Sequence, residues 1–294
     1  MANVKRILAG VAARALGHLL DGQAPGDLIW LARTLHKDRD TGQAVAMARF
    51  ARAYYEIFHR NCSGDILDNG EIGVLRRLTG LPLKTALDVG ANVGTWTTAM
   101  KAASPEIEIH AFEIMPETAR AMRENTAGLG QIHLNEIGLG DAAEEIEIFY
   151  SPDNSVLTSA VGARVSEFQE LEGTWRTLRA RVIRGDDYVA ENHIEHIDFL
   201  KIDVEGMEMR VLTGFERTFA RHAIDLVQFE YASLNKFIPL LLRDLYGFFD
   251  KRGFVVGKVY PKGVAFKKYE TEDEDFLGLT HLIHETSSPA ICYG

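Results

Sequence analysis

Hydrophobic positions follow two rhythms along this chain, and the change between them comes near Leu81-Pro82. Before it, apolar residues recur three and four apart: Val4, Ile7, Leu8, Val11, Leu16, Leu19 and Leu20, then Leu28 to Leu35, then Ala44 to Phe58. That spacing lines one face of a helix, so residues 1–80 are expected to be all-helical, with a break at Asp21 to Gly26 around Gly22 and Pro25. After Pro82, short apolar runs alternate with helix-patterned stretches. The runs are Thr85–Val89, Ile107–Phe112, Ile132–Ile137, Ile197–Val204 and Ile224–Phe229. Near-continuous apolar runs suit strands covered on both faces, and their alternation with helices predicts a parallel sheet. Residues 81–294 are therefore expected to form one α/β, Rossmann-like domain, with 1–80 as an N-terminal helical extension.

The interval from Asp141 to Asp187 interrupts this rhythm. It holds the alternating Ile146–Tyr150 and the turn-rich Ser151-Pro152-Asp153-Asn154, and its length suits a lid over a site. Phe254–Val259 and Leu279–Ile283 are expected to complete the sheet at one edge, with the charge-dense Lys267 to Asp275 as a solvated loop between them.

Composition narrows the function classes. A chain of 294 residues with 46% hydrophobic residues can bury a substantial core, with or without a smaller appendage. Its formal charge of −10 opposes a polyphosphate backbone, so nucleic acid is not the expected partner. The basic stretch Arg176 to Arg184 sits among acidic segments. Cys62 and Cys292 are too far apart for a spaced-pair zinc site and suggest no disulfide framework, which fits a reducing, cytoplasmic setting. No stretch reaches the roughly 20 apolar residues of a membrane span, and Arg14 and His18 break the N-terminal apolar run where a secretory signal would continue it. The first helices are instead expected to pack on this chain or on a second copy in a homo-oligomer, with attachment to a membrane surface as the alternative.

The first chemical candidate is Asp88-Val89-Gly90-Ala91-Asn92-Val93-Gly94-Thr95-Trp96. An apolar strand enters a small-residue turn that opens a helix. Gly90 and Gly94 let the backbone bend sharply and approach a ligand. Glu113 ends the second run, where an acid can accept both ribose hydroxyls of an adenosine; the plain alternative is a helix-capping or surface carboxylate. A nicotinamide enzyme would have a third glycine for its pyrophosphate, whereas this turn has Asn92. S-adenosylmethionine has no pyrophosphate, which favours the methyl donor.

The second candidate is Lys201-Ile202-Asp203-Val204-Glu205-Gly206-Met207-Glu208. Residues two apart share a strand face, so Lys201 and Asp203 can pair, and Glu205 precedes a helix whose dipole favours an acid. Together with the glycine turn, Phe112-Glu113 and Leu139-Gly140-Asp141, this run resembles the FkbM family of methyltransferases from about Thr85 to Glu230. Ile114, Gly138 and Gly185-Asp186-Asp187 depart from that family's usual pattern, and none of them is a proposed chemical group. The resemblance implies a class I methyltransferase sheet of seven mostly parallel strands, the last antiparallel, with helices on both faces. It implies S-adenosylmethionine as cofactor and oxygen methylation of a sugar or glycosylated metabolite. It would place Asp88, Gly90, Ala91, Asn92 and Gly94 around the methionine part, Glu113 on the ribose, and Leu139, Gly140 and Asp141 near the adenine.

Methylating a hydroxyl calls for a general base, and Asp203, Glu205 and Glu230 at strand ends are the catalytic candidates. Two of these could instead hold a divalent cation such as magnesium, although no dense acidic motif demands a metal. For Glu230 the alternative is a buried acid paired with a basic side chain such as Lys201. Tyr150, Phe168, Trp175 and Tyr231 could offer flat surfaces to a small-molecule or glycan acceptor, or simply belong to the core. His281 and His284 are three apart with no third ligand nearby and read as ordinary surface or core histidines. Two other classes stay open at this point: a nicotinamide-dependent oxidoreductase on the same sheet, and a non-catalytic nucleotide-fold binding module.

Overall fold

In the computed structural model the described residues are 10–11, 14–36, 41–58, 66–151, 154–159, 175–231, 233–274 and 280–285. The amphipathic repeat begun at Val4 lies partly outside them, and Cys62, Phe168 and Cys292 lie wholly outside. The chain divides into two compact units, Met1–Phe58 and His59–Gly294, so the division falls ahead of Leu81.

In the first unit, residues 14–20 are helical and a turn at 21–22 leads to helices Pro25–Leu35 and Gly42–Phe58. Pro25 sits at the start of its helix, where its missing N–H costs nothing. Phe50, Tyr54 and Phe58 stack four residues apart as an aromatic ladder that is largely exposed. Among the described residues, no helix is long and apolar enough to cross a membrane.

The second unit is built on an eight-stranded sheet. Its strands are β1 (Thr85–Val89), β2 (Glu108–Phe112), β3 (Ile132–Asn135), β8 (Ile197–Ile202), β9 (Ile224–Glu230), β10 (Phe254–Tyr260), β11 (Gly263–Phe266) and β12 (Thr280–Glu285). They lie in the order β11-β10-β12-β9-β8-β1-β2-β3. The last strand, β12, runs antiparallel between β9 and β10, as the resemblance implied. The short β11 adds an eighth strand by a hairpin from β10.

Burial on both faces explains the uninterrupted apolar runs. Leu87, Val89, Leu200, Ile202, Val227 and Phe229 enter one core with helices Gly185–Glu191, Glu208–Gly214, Glu216–Ala220 and Leu242–Asp250. Ala86, Phe199 and Leu226 enter the other, against Val74 and Leu75 of helix Glu71–Arg77 and Trp96 and Met100 of helix Thr95–Ala103. The helix at Glu71 therefore belongs to the sheet's own core.

Strands of the interval after Asp141 join β4 (Gly138–Gly140), just before it, in a second sheet ordered β4-β7-β5-β6, with β5 (Glu144–Ser151), β6 (Asn154–Ser159) and β7 (Arg176–Arg184). The basic stretch is thus a strand: Ala180 and Val182 point inward, while Arg179 and Arg181 alternate outward or toward the flank. Residues 160–174 of the interval lie outside the described ones. In the expected solvated loop, Glu274 receives the Tyr231 hydroxyl at 2.7 Å and the amides of Leu242 and Arg243, so part of that loop is anchored.

Candidate active site

The turn after β1 is shaped by its neighbour strand. Gly90 has φ 81°, and a Cβ there would lie 1.8 Å from the Asp203 carbonyl oxygen, so only glycine allows the two loops to touch. Asn92 (φ 49°) and Gly94 (φ 82°) continue the turn in left-handed backbone. Asp88, fully buried on the opposite side, accepts the Thr97 hydroxyl at 2.6 Å and thereby ties β1 to the following helix.

Glu113 joins the first two loops. Its carboxylate accepts the Asn92 amide at 2.9 Å and the Met115 amide at 2.8 Å. Burial raises its pKa above the ordinary value, opposed by those two amides. A carboxylate held by two amides still has lone pairs for two hydroxyls.

On the Ala86 face of the sheet, alternate strand positions bring a polar row together. Lys201 lies 3.2 Å from Asp203 and 3.6 Å from Asp88, and the predicted Lys201–Asp203 pair is formed. Burial disfavours the Lys201 ammonium, but Asp203, Asp88 and Glu71 outweigh it and raise its pKa. For Asp88 burial prevails over Lys201 and Thr97, and its pKa is raised, so this pair is weaker than the one with Asp203. Gln228, on the same face of β9, donates to Glu71 at 2.6 Å. Nothing in the helical pattern around Glu71 marked it as part of this row; its partners are far away in sequence.

Three carboxylates close the row at the strand ends. One oxygen each of Asp203, Glu205 and Glu230 lies within 4.8 Å of the others. Asp203 tends upward through burial, but Lys201 and a hydrogen bond from Glu230 hold it below the ordinary value. Glu230 is raised by burial and by the Asp203 and Glu205 charges, which makes it the protonated partner; it pairs with Asp203 and not with Lys201. Glu205 is pushed up to about 8 by burial, Asp203 and Glu208.

The helix-start acid is Glu208, not Glu205. Glu208 begins helix Glu208–Gly214 and its Oε1 accepts the amides of Val204 (3.3 Å) and Gly206 (3.1 Å). Its Oε2 is buried with no hydrogen-bond partner among the described residues. The loop so held forces Glu205 into left-handed backbone (φ 52°), a conformation that costs a non-glycine residue about 1–2 kcal/mol and presents its carboxylate to the cluster.

These groups line a cavity of about 340 Å³. One end has Gly90, Asn92, Glu113, Asp203, Glu205 and Glu230; the other is an apolar slot of Phe112, Ile114, Leu139, Ile146, Ile148 and Val182, with Gly140 beside it. The second sheet supplies one wall of that slot. Asp88, Ala91, Gly94 and Asp141 are absent from the lining: the first three stand behind the turn, and Asp141 grips Arg210, which does line the cavity, at 2.6 Å. Arg210 is also held by Glu144. Tyr231 and His281 are core: His281 stacks on Phe229 at 5.1 Å, and burial lowers its pKa to about 3. His284, three along the strand, points to the other face and meets Phe266.

Residues 88–256 match the methyltransferase FkbM domain. The 31-O-demethyl-FK506 methyltransferase FkbM of Streptomyces tacrolimicus is 28% identical over 161 residues, 46% of this chain and 60% of that protein. The hexuronic acid methyltransferase AglP of Haloferax volcanii is 28% identical over 128 residues, 43% of this chain and 48% of that protein. The chain thus spans about half the length of these two relatives. A solved SAM-dependent O-methyltransferase of Thermotoga maritima is similar at 10% identity and TM-score 0.38, over 76% of this chain and 66% of that one. The domain match takes in more than half of the chain, from Asp88 through Glu113, Asp203 and Glu205 to Glu230 and beyond, and the chain belongs to the FkbM methyltransferase family.

Proposed function

We propose that this protein transfers a methyl group from S-adenosylmethionine to a hydroxyl of a sugar or glycosylated metabolite, with Glu205 as the general base. The observation that carries the reading is the carboxylate cluster at one end of a cavity whose other end is an apolar slot beside Glu113. The residues present fit that donor. Phe112, Leu139 and Ile148 would hold the adenine, Glu113 the ribose, and the Gly90–Asn92 backbone the methionine part. When bound, S-adenosylmethionine supplies a methyl group on a positively charged sulfur that departs as a neutral thioether.

The chain's own part is to orient the acceptor and remove its proton. Asp203 is ionised and balanced by Lys201, and Glu230 keeps its proton in the hydrogen bond to Asp203. Of the three clustered carboxyl groups, Glu205, at about 8, is left as the one that changes protonation near neutrality; Glu208, at about 7, is engaged by the Val204 and Gly206 amides. The raised basicity of Glu205 suits proton transfer from a hydroxyl, and the proton returns to solvent through the cavity mouth. Ile146, Ile148 and Val182 of the second sheet form a wall of the cavity that helps to exclude water. The hexuronic acid acceptor named for AglP supports a sugar. The net charge of −10 supports a small-molecule or glycan acceptor over nucleic acid.

A nicotinamide cofactor fits poorly, because the Asn92 amide is already engaged by Glu113, which puts negative charge where a pyrophosphate would lie. The test is incubation with methyl-labelled S-adenosylmethionine and a panel of hexoses, hexuronic acids and their glycosides. Label is expected on an acceptor hydroxyl, with turnover at least about 100-fold lower in Glu205→Gln. Absence of label across the panel, or full turnover in the variant, contradicts the assignment. Turnover unaffected by EDTA is expected; loss restored by magnesium would assign the three carboxylates to a cation instead. The exposed Ile29, Trp30, Phe50 and Tyr54 of the first unit serve self-association. Light scattering on Trp30→Glu/Phe50→Glu is expected to show a smaller particle than the wild type; an unchanged mass contradicts this.

A further inference from the structure

A second chemical cluster lies at the far end of the sheet from the cavity. Glu108 opens β2 and Glu113 follows its last residue, so the two acids mark opposite ends of one strand. Glu108 and His110 are two apart and share a strand face, and His133 of the edge strand β3 is the register partner of His110. The His133 Nε2 lies 2.7 Å from Glu108 Oε1, and the His110 Nε2 lies 3.8 Å from the same oxygen. One ligand atom from each of the three residues lies within 4.8 Å of the others.

We propose that Glu108, His110 and His133 form a binding site for a divalent transition metal of the zinc type, which clamps the edge strand β3 to β2. Tetrahedral zinc with bonds of about 2.0–2.1 Å to nitrogen and oxygen sets its ligands roughly 3.3 Å apart. The observed spacings of 2.7 and 3.8 Å straddle that value, and the half-exposed Glu108 and His133 side chains have room to adjust. Two imidazoles with one carboxylate select zinc and its neighbours over magnesium or calcium. The solvent side leaves a fourth position for water.

The surroundings of His110 carry the argument beyond a surface ion pair. His110 is buried, and its other nitrogen, Nδ1, lies 2.8 Å from the Tyr188 hydroxyl. Asn135 donates to that hydroxyl at 3.0 Å, and Tyr188 is fixed edge-on to Phe112 at 4.6 Å. This outer partner orients the ring and turns Nε2 toward Glu108, as partners of metal-bound histidines do. The two rings stack at 4.7 Å with an interplanar angle of 19°, so the half-exposed His133 ring has to turn about its side-chain bonds for both Nε2 lone pairs to meet one ion.

The test is zinc titration of the EDTA-stripped full chain against a chromophoric chelator, with cobalt(II) as spectroscopic probe. One equivalent of zinc is expected, and it should raise the melting temperature. His133→Ala and Glu108→Gln, both at half-exposed positions, should weaken uptake at least tenfold and abolish the visible cobalt bands. Tyr188→Phe should weaken it about tenfold with the fold retained. Glu205→Gln should leave it unchanged, which separates this site from the cavity carboxylates. No zinc uptake, or uptake that survives His133→Ala, overturns the proposal.

Discussion

Glu205, Glu208 and Glu230 are chemically alike, yet their surroundings set three different states. Glu230 keeps its proton beside Asp203, Glu208 pins a loop through two backbone amides, and Glu205 is held in left-handed backbone with a pKa of about 8. The activity consequence of the proposed Glu205 base follows from its acting in the ionised form. The rate at limiting substrate should rise with pH and level off above about 8, and Glu205→Gln should lose that limb along with about 100-fold or more of the rate. A rate independent of pH from 6 to 9 in the wild type would contradict the role. Asp203 and Glu230 were legible from the sequence because each ends an apolar run at the ligand-binding end of a parallel sheet. The division of labour between Glu205 and Glu208 was not, since backbone handedness and two amide contacts decide it, and neither leaves a mark in residue order. The Asp141–Arg210 pair is illegible for a simpler reason: it joins two segments distant in sequence.

At the scale of elements, the central strands announce themselves because burial on both faces demands uninterrupted apolar residues. The same logic hid β7, whose outward Arg179 and Arg181 read as a charged stretch, although Leu178, Ala180 and Val182 alternate with them. Helix Glu71–Arg77 was grouped with the N-terminal helices because helical period alone cannot say which core a helix joins. The contact between the β1 turn and the β8 loop is the junction on which the cavity depends. Gly90→Ala would drive a Cβ to within 1.8 Å of the Asp203 carbonyl and strain a positive φ. A loss of about 3 kcal/mol or more is expected, together with loss of ligand binding. Denaturant unfolding monitored by circular dichroism checks this, and a loss under about 1 kcal/mol would mean that the two loops can part easily.

For the whole molecule, buried carboxyl groups and the buried His281 give stability a definite pH dependence. Glu205 and Glu208 have folded pKa values raised from 4.5 to about 8 and about 7, so their contribution is complete below 4.5 and is lost as pH rises through those values. His281 is depressed from 6.5 to about 3, so its contribution is present above 6.5 and is lost as pH falls toward 3. Above 6.5 the carboxyl groups act alone. The melting temperature should therefore fall between pH 6.5 and 8.5, and Glu208→Gln should flatten that fall. A melting temperature that rises over this interval would show that these groups are not buried as described.

The central claim, that the cavity between Glu113 and Glu205 is an S-adenosylmethionine site, is tested most directly by calorimetric titration with S-adenosylhomocysteine and, separately, with NADH. Micromolar binding of S-adenosylhomocysteine alone is expected, weakened at least tenfold in Glu113→Ala, where the two ribose hydroxyls lose their acceptor. No binding of S-adenosylhomocysteine, or preference for NADH, would contradict it.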